Sequence, residues 1–201
     1  MRKSPKRLSP QQFEKVAELA LKQIFKALDP ENEPFQDKVE EKLILDLVGF
    51  WLNEEQFRSL CVAAQAVGDQ VLMYSVVRGY LGGPELMPYY TWELQLWDYS
   101  AYCDADDEPP PKEKDIGIPL DRVLYSPSGK WGILLPDLFA LVGGSAPFVR
   151  RFKEEYARWR QDLDRFIEAR TEAAKKRNAD MAWVPSLLHH MYGDDAPPFE
   201  A

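Results

Sequence analysis

The spacing of the apolar residues changes near Gly68, and this change limits the chain to folds that combine helices with a sheet. Up to Gly68, apolar side chains recur every three or four residues, which is typical of amphipathic helices. After it, residues 71–80 are rich in Val, Tyr and Met, and residues 92–96 alternate apolar with polar side chains, which is typical of strands. Because these strands follow one another along the chain, we predict an α+β fold with an antiparallel sheet backed by helices.

The predicted architecture is a single domain over residues 1–201. With 201 residues, of which 45% are hydrophobic, the chain is long enough to bury a core without disulfides or structural metals. Its predicted parts are a helical layer over 1–68, a small antiparallel sheet of three to four strands over 69–136 that includes an exposed acidic, proline-rich loop at 104–115, a long C-terminal helix over 145–178, and a loose tail over 194–201.

Two capping signatures mark helix starts in the N-terminal segment. Ser9 precedes Pro10 and Gln12, and Asn53 precedes Gln56, so each pair forms the S/T/N-x-x-Q pattern of a capping box. Between them, a step of four residues predicts a further helix that begins at Pro34; its apolar residues are Phe35, Val39, Leu43 and Leu47. We therefore expect three short helices within the first 68 residues.

A hairpin and a long helix are predicted in the second half. Residues 122–135 form two apolar segments around the turn Pro127–Lys130, where proline and glycine supply the required torsions. The helix after Gly144 would extend roughly 50 Å, whereas a domain of this size is roughly 30 Å across. We expect part of it to project, to pair with the N-terminal helices, or to form a homodimer through a 4-3-4-3 apolar seam composed of Phe152, Tyr156, Trp159, Leu163 and Phe166.

Charge is distributed unevenly along the chain. Residues 1–28 carry 7 Lys and Arg against 2 acids (+5), residues 29–121 carry 6 against 20 (−14), and residues 122–201 carry 12 against 11 (+1), which gives the net charge of −8. A middle segment this acidic repels phosphate backbones and attracts basic partners. We therefore expect no nucleic-acid partner, although acidic residues that only keep the protein in solution give the same pattern.

Aromatic residues crowd the segment just before the acidic loop. Some of them must be core, and a purely structural cluster remains an alternative. Aromatic rings interleaved with carboxylates also form a good platform for Arg and Lys side chains of a partner protein. The candidate partner-binding residues are Trp97, Tyr99, Tyr102, Asp104, Asp106, Asp107 and Glu108.

Several catalytic or metal-binding patterns are incomplete. As a calcium loop, the acidic run would place Pro109 at the position that requires glycine. The Ser128-Gly129-Lys130 triplet lacks the other residues of a phosphate-binding loop, so a hairpin turn is the better interpretation. We expect Cys61 in the core, Cys103 nearer the surface, and no catalytic residue or cofactor. A metal-dependent enzyme using Asp104, Asp106 and His189 remains the alternative.

No apolar run approaches the roughly 20 residues that span a bilayer, and the basic first residues are not followed by the apolar stretch of a secretory signal. Two cysteines are too few for a disulfide framework. We therefore expect a soluble, cytoplasmic protein without a membrane partner.

One segment carries a family resemblance. Over Tyr125–Phe152, a Ser-Gly-x-Trp-Gly hairpin is followed by Gly-Gly and by a helix that opens with Phe-Val. This pattern resembles small bacterial proteins of the polymorphic-toxin immunity type, in which a cytosolic acidic protein occludes its cognate toxin. Trp131, Gly132, Gly143 and Gly144 are interpreted as scaffold residues, so the resemblance implies a role and no site.

The expected function is that of a non-enzymatic binding protein, most simply an immunity or antitoxin-type inhibitor that covers a basic surface of its partner. The acidic loop and the adjoining aromatic residues would form the contact, with charge speeding the encounter and aromatic anchors holding the complex. A self-associating structural subunit is the third hypothesis, beside the metal-dependent enzyme.

Overall fold

The computed structural model describes residues 5–30, 33–49, 51–78, 90–106, 120–136, 138–177 and 179–200. Its strands are β1 (Lys6–Arg7), β2 (Glu41–Asp46), β3 (Val71–Arg78), β4 (Tyr90–Gln95), β5 (Leu120–Tyr125), β6 (Trp131–Leu135) and β7 (Phe139–Gly144). Its helices are α1 (Pro10–Val16), α2 (Glu18–Ile24), α3 (Glu54–Ala66), α4 (Tyr99–Asp106), α5 (Ala146–Glu155), α6 (Trp159–Arg177) and α7 (Val184–Tyr192). The α+β prediction is confirmed.

Seven antiparallel strands form one sheet in the order β1-β4-β3-β5-β6-β7-β2. The prediction of three to four strands was wrong, because β1, β2 and β7 were not recognised as strands. The strands predicted around residues 71–80 and 92–96 and the hairpin of β5 and β6 are present. Polar side chains in β4 alternate with buried apolar ones, as the sequence pattern predicts.

Both faces of the sheet are buried. One face packs against α3, α4 and α5, and the other packs against α1, α2, α6 and α7. Every residue of β6 and β7 is buried, because side chains that alternate between the two faces meet a helical layer on each side. Among the described helices, none combines the length and the apolar character needed to cross a bilayer.

The helix predicted from Pro34 to Leu47 is wrong: this segment contains β2 at one edge of the sheet. Side chains four residues apart share a face in a strand as well as in a helix, so the spacing of Leu43 and Leu47 did not distinguish the two. The intervening Ile44 is buried on the opposite face. A two-sided buried strand therefore explains the run better, and the predicted helical layer over 1–68 includes two strands.

Both capping boxes form as predicted. The Ser9 backbone N–H donates to Gln12 Oε1 at 2.9 Å, and the Gln12 N–H donates to Ser9 Oγ at 3.3 Å. Asn53 and Gln56 make the same reciprocal pair at 3.1 and 3.0 Å. These contacts are local in sequence, which is why the pattern alone located the starts of α1 and α3.

The single long helix predicted over 145–178 is also wrong. The chain leaves helical geometry at Tyr156, which has φ −113° and ψ 76°, and α6 begins at Trp159. Helix α5 packs on one face of the sheet and α6 on the other, so the chain turns around the edge strand β2 between them. The homodimer seam therefore does not exist as one surface: Phe152 and Tyr156 are buried in one core, and Phe166 is buried in the other.

A buried carboxylate holds this turn. Asp162, which is 1% exposed, accepts hydrogen bonds at Oδ2 from Tyr156 Oη at 2.9 Å and from Gln56 Nε2 at 3.2 Å. Arg165 Nη1 lies 3.7 Å from Asp162 Oδ1 and 3.9 Å from Asp46 Oδ2. Burial raises the pKa of Asp162 above its ordinary value and raises the pKa of Tyr156 to about 12.

Two glycines of the segment Tyr125–Phe152 leave room for aromatic rings to pack closely on the sheet. A Cβ on Gly132 would lie 2.6 Å from the Phe25 ring, and one on Gly143 would lie 2.7 Å from the Phe35 ring. The rings of Phe25 and Phe35 stack with centroids 5.3 Å apart. Close packing therefore accounts for both glycines, in agreement with a scaffold role.

Helix α7 docks on the same face of the sheet as α1 and α2. Within the tail expected to be loose, Ala196 and Phe199 pack against this core. His190, a residue of α7, has a side chain that is 8% exposed, and its ring is near-parallel to that of Phe35. Its buried Nε2 has no hydrogen-bond partner among the described residues. Burial, aided by Lys42 and Lys26 against the opposing Glu33 and Asp37, lowers its pKa to about 4.

Replacing Asp162 with alanine is expected to destabilise the fold by about 2–4 kcal/mol, because the Tyr156 hydroxyl and the Gln56 amide lose their buried acceptor. Asp162→Asn keeps an acceptor oxygen and should cost less. Chemical denaturation monitored by circular dichroism measures both. Asp164→Ala, at an exposed position of the same helix, should change stability by no more than about 0.5 kcal/mol. Equal effects at positions 162 and 164 would contradict this role.

His190 should lower the free energy of unfolding as the pH falls from 6.5 to 4. Its ordinary pKa of 6.5 applies in the unfolded chain and about 4 in the folded one, so only the unfolded state gains the proton between these values. Stability should therefore fall by about 2–3 kcal/mol as the pH drops from 6.5 to 4, and His190→Leu should remove that component. Denaturation at several pH values tests it, and His189→Leu, an exposed position beside it, should keep the component.

Candidate functional site

The predicted partner-binding residues separate into exposed and buried groups. Trp97 is 50% exposed, Asp104 is exposed and Tyr99 is half-buried, whereas Tyr102 is 2% exposed. Asp106 is the last residue of α4, and Asp107 and Glu108 lie outside the described residues. The structure therefore places Trp97, Tyr99 and Asp104 at the surface around the start and the first turns of α4.

Tyr102 is a core residue, which corrects its assignment to the partner-binding surface. Its ring stacks on Phe57 with centroids 4.9 Å apart, and its hydroxyl accepts a hydrogen bond from the Leu52 N–H at 3.0 Å. Tyr99 Oη donates to the Leu52 carbonyl at 3.2 Å. The two tyrosines, three residues apart on one face of α4, therefore hold the chain that enters α3, and Tyr102 is the more deeply buried of the two.

The acidic segment begins in a helix, so the prediction of an extended loop from residue 104 was wrong for residues 104–106. Asp98 caps α4: its Oδ1 accepts from the Ala101 N–H at 3.0 Å, and its carbonyl accepts from the Tyr102 N–H at 3.1 Å. An aspartate before the first turn commonly marks the start of a helix. Asp98 was not recognised as such a signal in the sequence. The rest of the predicted loop, residues 107–115, lies outside the described residues.

Trp97 has an unusual backbone conformation. Its φ is +71°, a value that L-residues with bulky side chains rarely adopt. Its N–H donates to Cys61 Sγ at 3.2 Å, so the thiol at the sheet-facing side of α3 helps to hold this geometry. Burial raises the pKa of Cys61 to about 11, so the group remains a thiol at neutral pH and serves as a core side chain. Trp97 lies between β4 and α4, and its side chain is half-exposed.

Two depressions lie in this region, one of them lined by Trp97. An open one of about 490 Å³ is lined by Gln95, Leu96, Trp97, Asp98, Tyr99 and Ser100. A more enclosed one of about 150 Å³ is lined by Pro5, Lys6, Glu93, Leu94, Gln95, Asp98 and Ala101. Gln95 and Asp98 belong to both, so the two depressions form one continuous surface, which we call the Trp97 surface.

The chemistry of the Trp97 surface is aromatic and acidic. Trp97 offers a half-exposed indole, and Glu93 and Asp98 bring carboxylates to the two depressions, with the exposed Asp104 on the adjoining helix. Such a surface attracts a guanidinium or an ammonium group through both the ring and the carboxylates. Glu93 and Gln95 were missed as site residues, because their alternation with buried residues had indicated only the wet face of a strand.

The residues of the metal-dependent alternative do not meet. Asp104 lies on α4 and His189 on α7, and these helices cover opposite faces of the sheet. Within the described ranges, no three His, Cys, Asp or Glu side chains come close enough together to hold a metal ion. The structure therefore gives no support to an ion site composed of Asp104, Asp106 and His189.

The Ser128-Gly129-Lys130 segment is a hairpin turn, as predicted, and its polar side chains surround a buried aspartate. Asp69 accepts hydrogen bonds from Ser126 Oγ at 2.7 Å, Ser128 Oγ at 3.0 Å and Trp131 Nε1 at 2.8 Å. These donors satisfy both carboxylate oxygens. The cluster ties the hairpin to the loop after α3, so the Ser-x-Ser-Gly-x-Trp segment has a structural explanation.

Comparisons with protein-family models, curated proteins and solved structures found no match to this chain. The resemblance to immunity proteins therefore stays a prediction, and the geometry of the Trp97 surface carries the functional argument.

The strained conformation of Trp97 can be measured by comparing two truncations. Trp97→Ala and Trp97→Gly remove the same indole, but only glycine adopts φ +71° without cost. We expect the Gly variant to be more stable than the Ala variant by about 1 kcal/mol in chemical denaturation. Leu19→Gly and Leu19→Ala, at an exposed position of α2, should show the opposite order because glycine weakens a helix. A Gly variant less stable than the Ala variant at position 97 would contradict the strain.

Proposed function

We propose that this chain is a non-enzymatic binding protein that contacts a basic surface of a partner protein through the Trp97 surface. The observation that carries the proposal is Trp97 itself: a large aromatic side chain that is half-exposed, at a position whose backbone conformation its residue type disfavours. Strained residues of this kind persist where the surrounding structure enforces them, and they concentrate at functional sites.

The energetics of protein interfaces support this use of Trp97. Tryptophan is among the residues that contribute most to binding when they are buried on association, and it pairs well with arginine. In this chain, Arg7 already lies 3.9 Å from the ring centroid of Tyr90, and Lys6 Nζ lies 3.8 Å from Glu93 Oε1. The chain's own cations thus contact a carboxylate of the Trp97 surface and an aromatic ring beside it.

The finer proposal is an immunity or antitoxin-type inhibitor that covers a basic cleft of its partner. It is supported by the net charge of −14 over residues 29–121, which derives from 6 basic and 20 acidic residues, and by the resemblance of the segment Tyr125–Phe152. Long-range attraction of a basic partner would speed association, and this effect weakens with added salt. Covering a cleft requires no reaction at the Trp97 surface.

A peptide selection tests the proposed site directly. Random peptides of about 12 residues displayed on phage would be selected against the full chain after depletion on Trp97→Ala. We expect the enriched sequences to carry Arg or Lys, and their affinity for Trp97→Ala to be at least about tenfold weaker, equivalent to about 1.4 kcal/mol. Asp98→Asn, which can still cap α4, and Asp104→Asn should each weaken binding and reduce its salt dependence.

Leu19→Ala is the matched control, because it removes an exposed apolar side chain from the opposite face of the sheet. Its affinities should equal those of the wild type. Selection of uncharged or acidic peptides, or equal binding to the wild type and to Trp97→Ala, would remove the basis for the proposal.

A further inference from the structure

The edge of the sheet next to the Trp97 surface is covered by the shortest strand of the described chain. Strand β1 has two residues, with Lys6 opposite Glu93 and Arg7 opposite Trp92 in antiparallel register. The Leu8 N–H continues the pairing by donating to the Thr91 carbonyl at 2.8 Å. The residues of β1 are both exposed, and Leu8 is the buried apolar residue that follows them.

The side chains of β1 contribute little to holding it in place. The ion pair between Lys6 and Glu93 spans 3.8 Å, and the side chains are 59% and 25% exposed. Exposed pairs of this kind contribute about 0–1 kcal/mol and weaken with salt. Arg7 lies over the Tyr90 ring, a contact that is also worth about 0.5–1 kcal/mol at an exposed site. The side chains of β1 therefore add only weak, charge-dependent contacts to the backbone pairing with β4 and to the buried Leu8 that follows it.

The contacts of Lys6 and Arg7 indicate which side chains a strand bound at the β4 edge would carry. A strand that carries Lys and Arg places one cation on a carboxylate and the other on an aromatic ring. The enclosed depression beside it is bounded by Glu93 and Asp98, and its 150 Å³ falls below the roughly 300–1,000 Å³ of small-molecule sites. It is of a size for a single side chain of a peptide.

We propose that the outer edge of β4 is a docking site for a basic, extended segment of the partner protein, and that β1 is an internal ligand which this segment displaces. The partner strand would pair with the backbone of β4 in place of Lys6 and Arg7, as in other cases of strand addition to a sheet edge. This inference rests on the proposed function, because it names the kind of partner segment and the regulation of the same surface.

Competition with β1 sets the affinity. A tethered segment acts at an effective concentration of the order of millimolar, so an isolated basic peptide meets a site that is mostly occupied. A partner that also contacts Trp97 gains the additional contacts needed to exchange the strand, because Gln95 and Asp98 join the enclosed depression to the open one. Strand β1 thereby excludes short basic peptides that lack those contacts.

A competition experiment on the full chain tests the exchange. The probe is a fluorescein-labelled peptide of residues 2–8, RKSPKRL, titrated with the wild type and with the double variant Lys6→Glu/Arg7→Glu, with anisotropy as the readout. The variant weakens the internal ligand, so it should bind the peptide at least about tenfold more tightly than the wild type. Adding Glu93→Gln to the variant should weaken that binding at least about fivefold, while adding Leu19→Ala should leave it unchanged.

Two controls separate strand pairing from simple charge attraction. A scrambled peptide of the same composition should bind the variant at least about fivefold more weakly than RKSPKRL, and the peptide RKSPEEL should not bind measurably. Should charge reversal prevent folding, as circular dichroism would show, Lys6→Ser/Arg7→Ser replaces it and should give the same ranking. Equal affinity of the wild type and the variant for RKSPKRL, absence of binding to both, or equal binding of the scrambled peptide would overturn the inference.

The failure of this inference and that of the proposed function differ in their signatures. Loss of strand exchange changes the peptide titration and leaves the Trp97-dependent selection intact. If the proposed function is wrong, the selected peptides bind the wild type and Trp97→Ala equally. The effect of Glu93→Gln on RKSPKRL binding is measured in a separate titration and does not depend on that result.

Discussion

Burial of both faces of the sheet is the constraint on which the other features of this fold depend. Since side chains in β6 and β7 alternate between two apolar layers, helices must cover each face, and the chain must pass from one face to the other. It does so between α5 and α6, around the edge strand β2. A continuous helix could not make that passage, because its straight axis would leave one face uncovered. The hydrogen bonds from Tyr156 and Gln56 to the buried Asp162 stabilise the turn that replaces it.

The structural features that could be predicted from the sequence are those that depend on contacts between residues close together in the chain. The capping boxes at Ser9 and Asn53 join residues three positions apart, and the β5–β6 hairpin joins neighbouring segments, so their patterns were sufficient. Strand β2 pairs with β7, about a hundred residues further along, and its step of four residues suits a helix equally well. The break after Glu155 depends on Gln56 and Asp162, which are 106 positions apart. No window of sequence contains that contact.

In the candidate site, too, some features could be located from the local sequence and others could not. Trp97 and Asp104 could be located, because aromatic and acidic residues cluster along one segment. Whether each ring faces solvent is not visible in the local sequence: Tyr102 is buried against Leu52 and Phe57, whereas Trp97 is half-exposed at a positive φ, with its N–H bonded to Cys61. Asp69 carried no local signal as a structural residue, although the Ser126, Ser128 and Trp131 donors around it stand together in one turn.

The two edges of the sheet are protected very differently, and this difference explains why binding would concentrate on one side. At β2, the outward Ile44 N–H donates to Tyr192 Oη at 2.9 Å, the Asp46 carbonyl accepts from Gln56 Nε2 at 3.0 Å, and three helices pack on the strand. At β4, the cover is a two-residue strand whose side chains add only exposed charge contacts to its backbone pairing. Unprotected edges recruit other strands. Under the proposed exchange, a cover that carries the chain's own cations keeps the edge paired and gives way to a better basic strand, so the proposed specificity of the Trp97 surface and the protection of the sheet would follow from the same contacts.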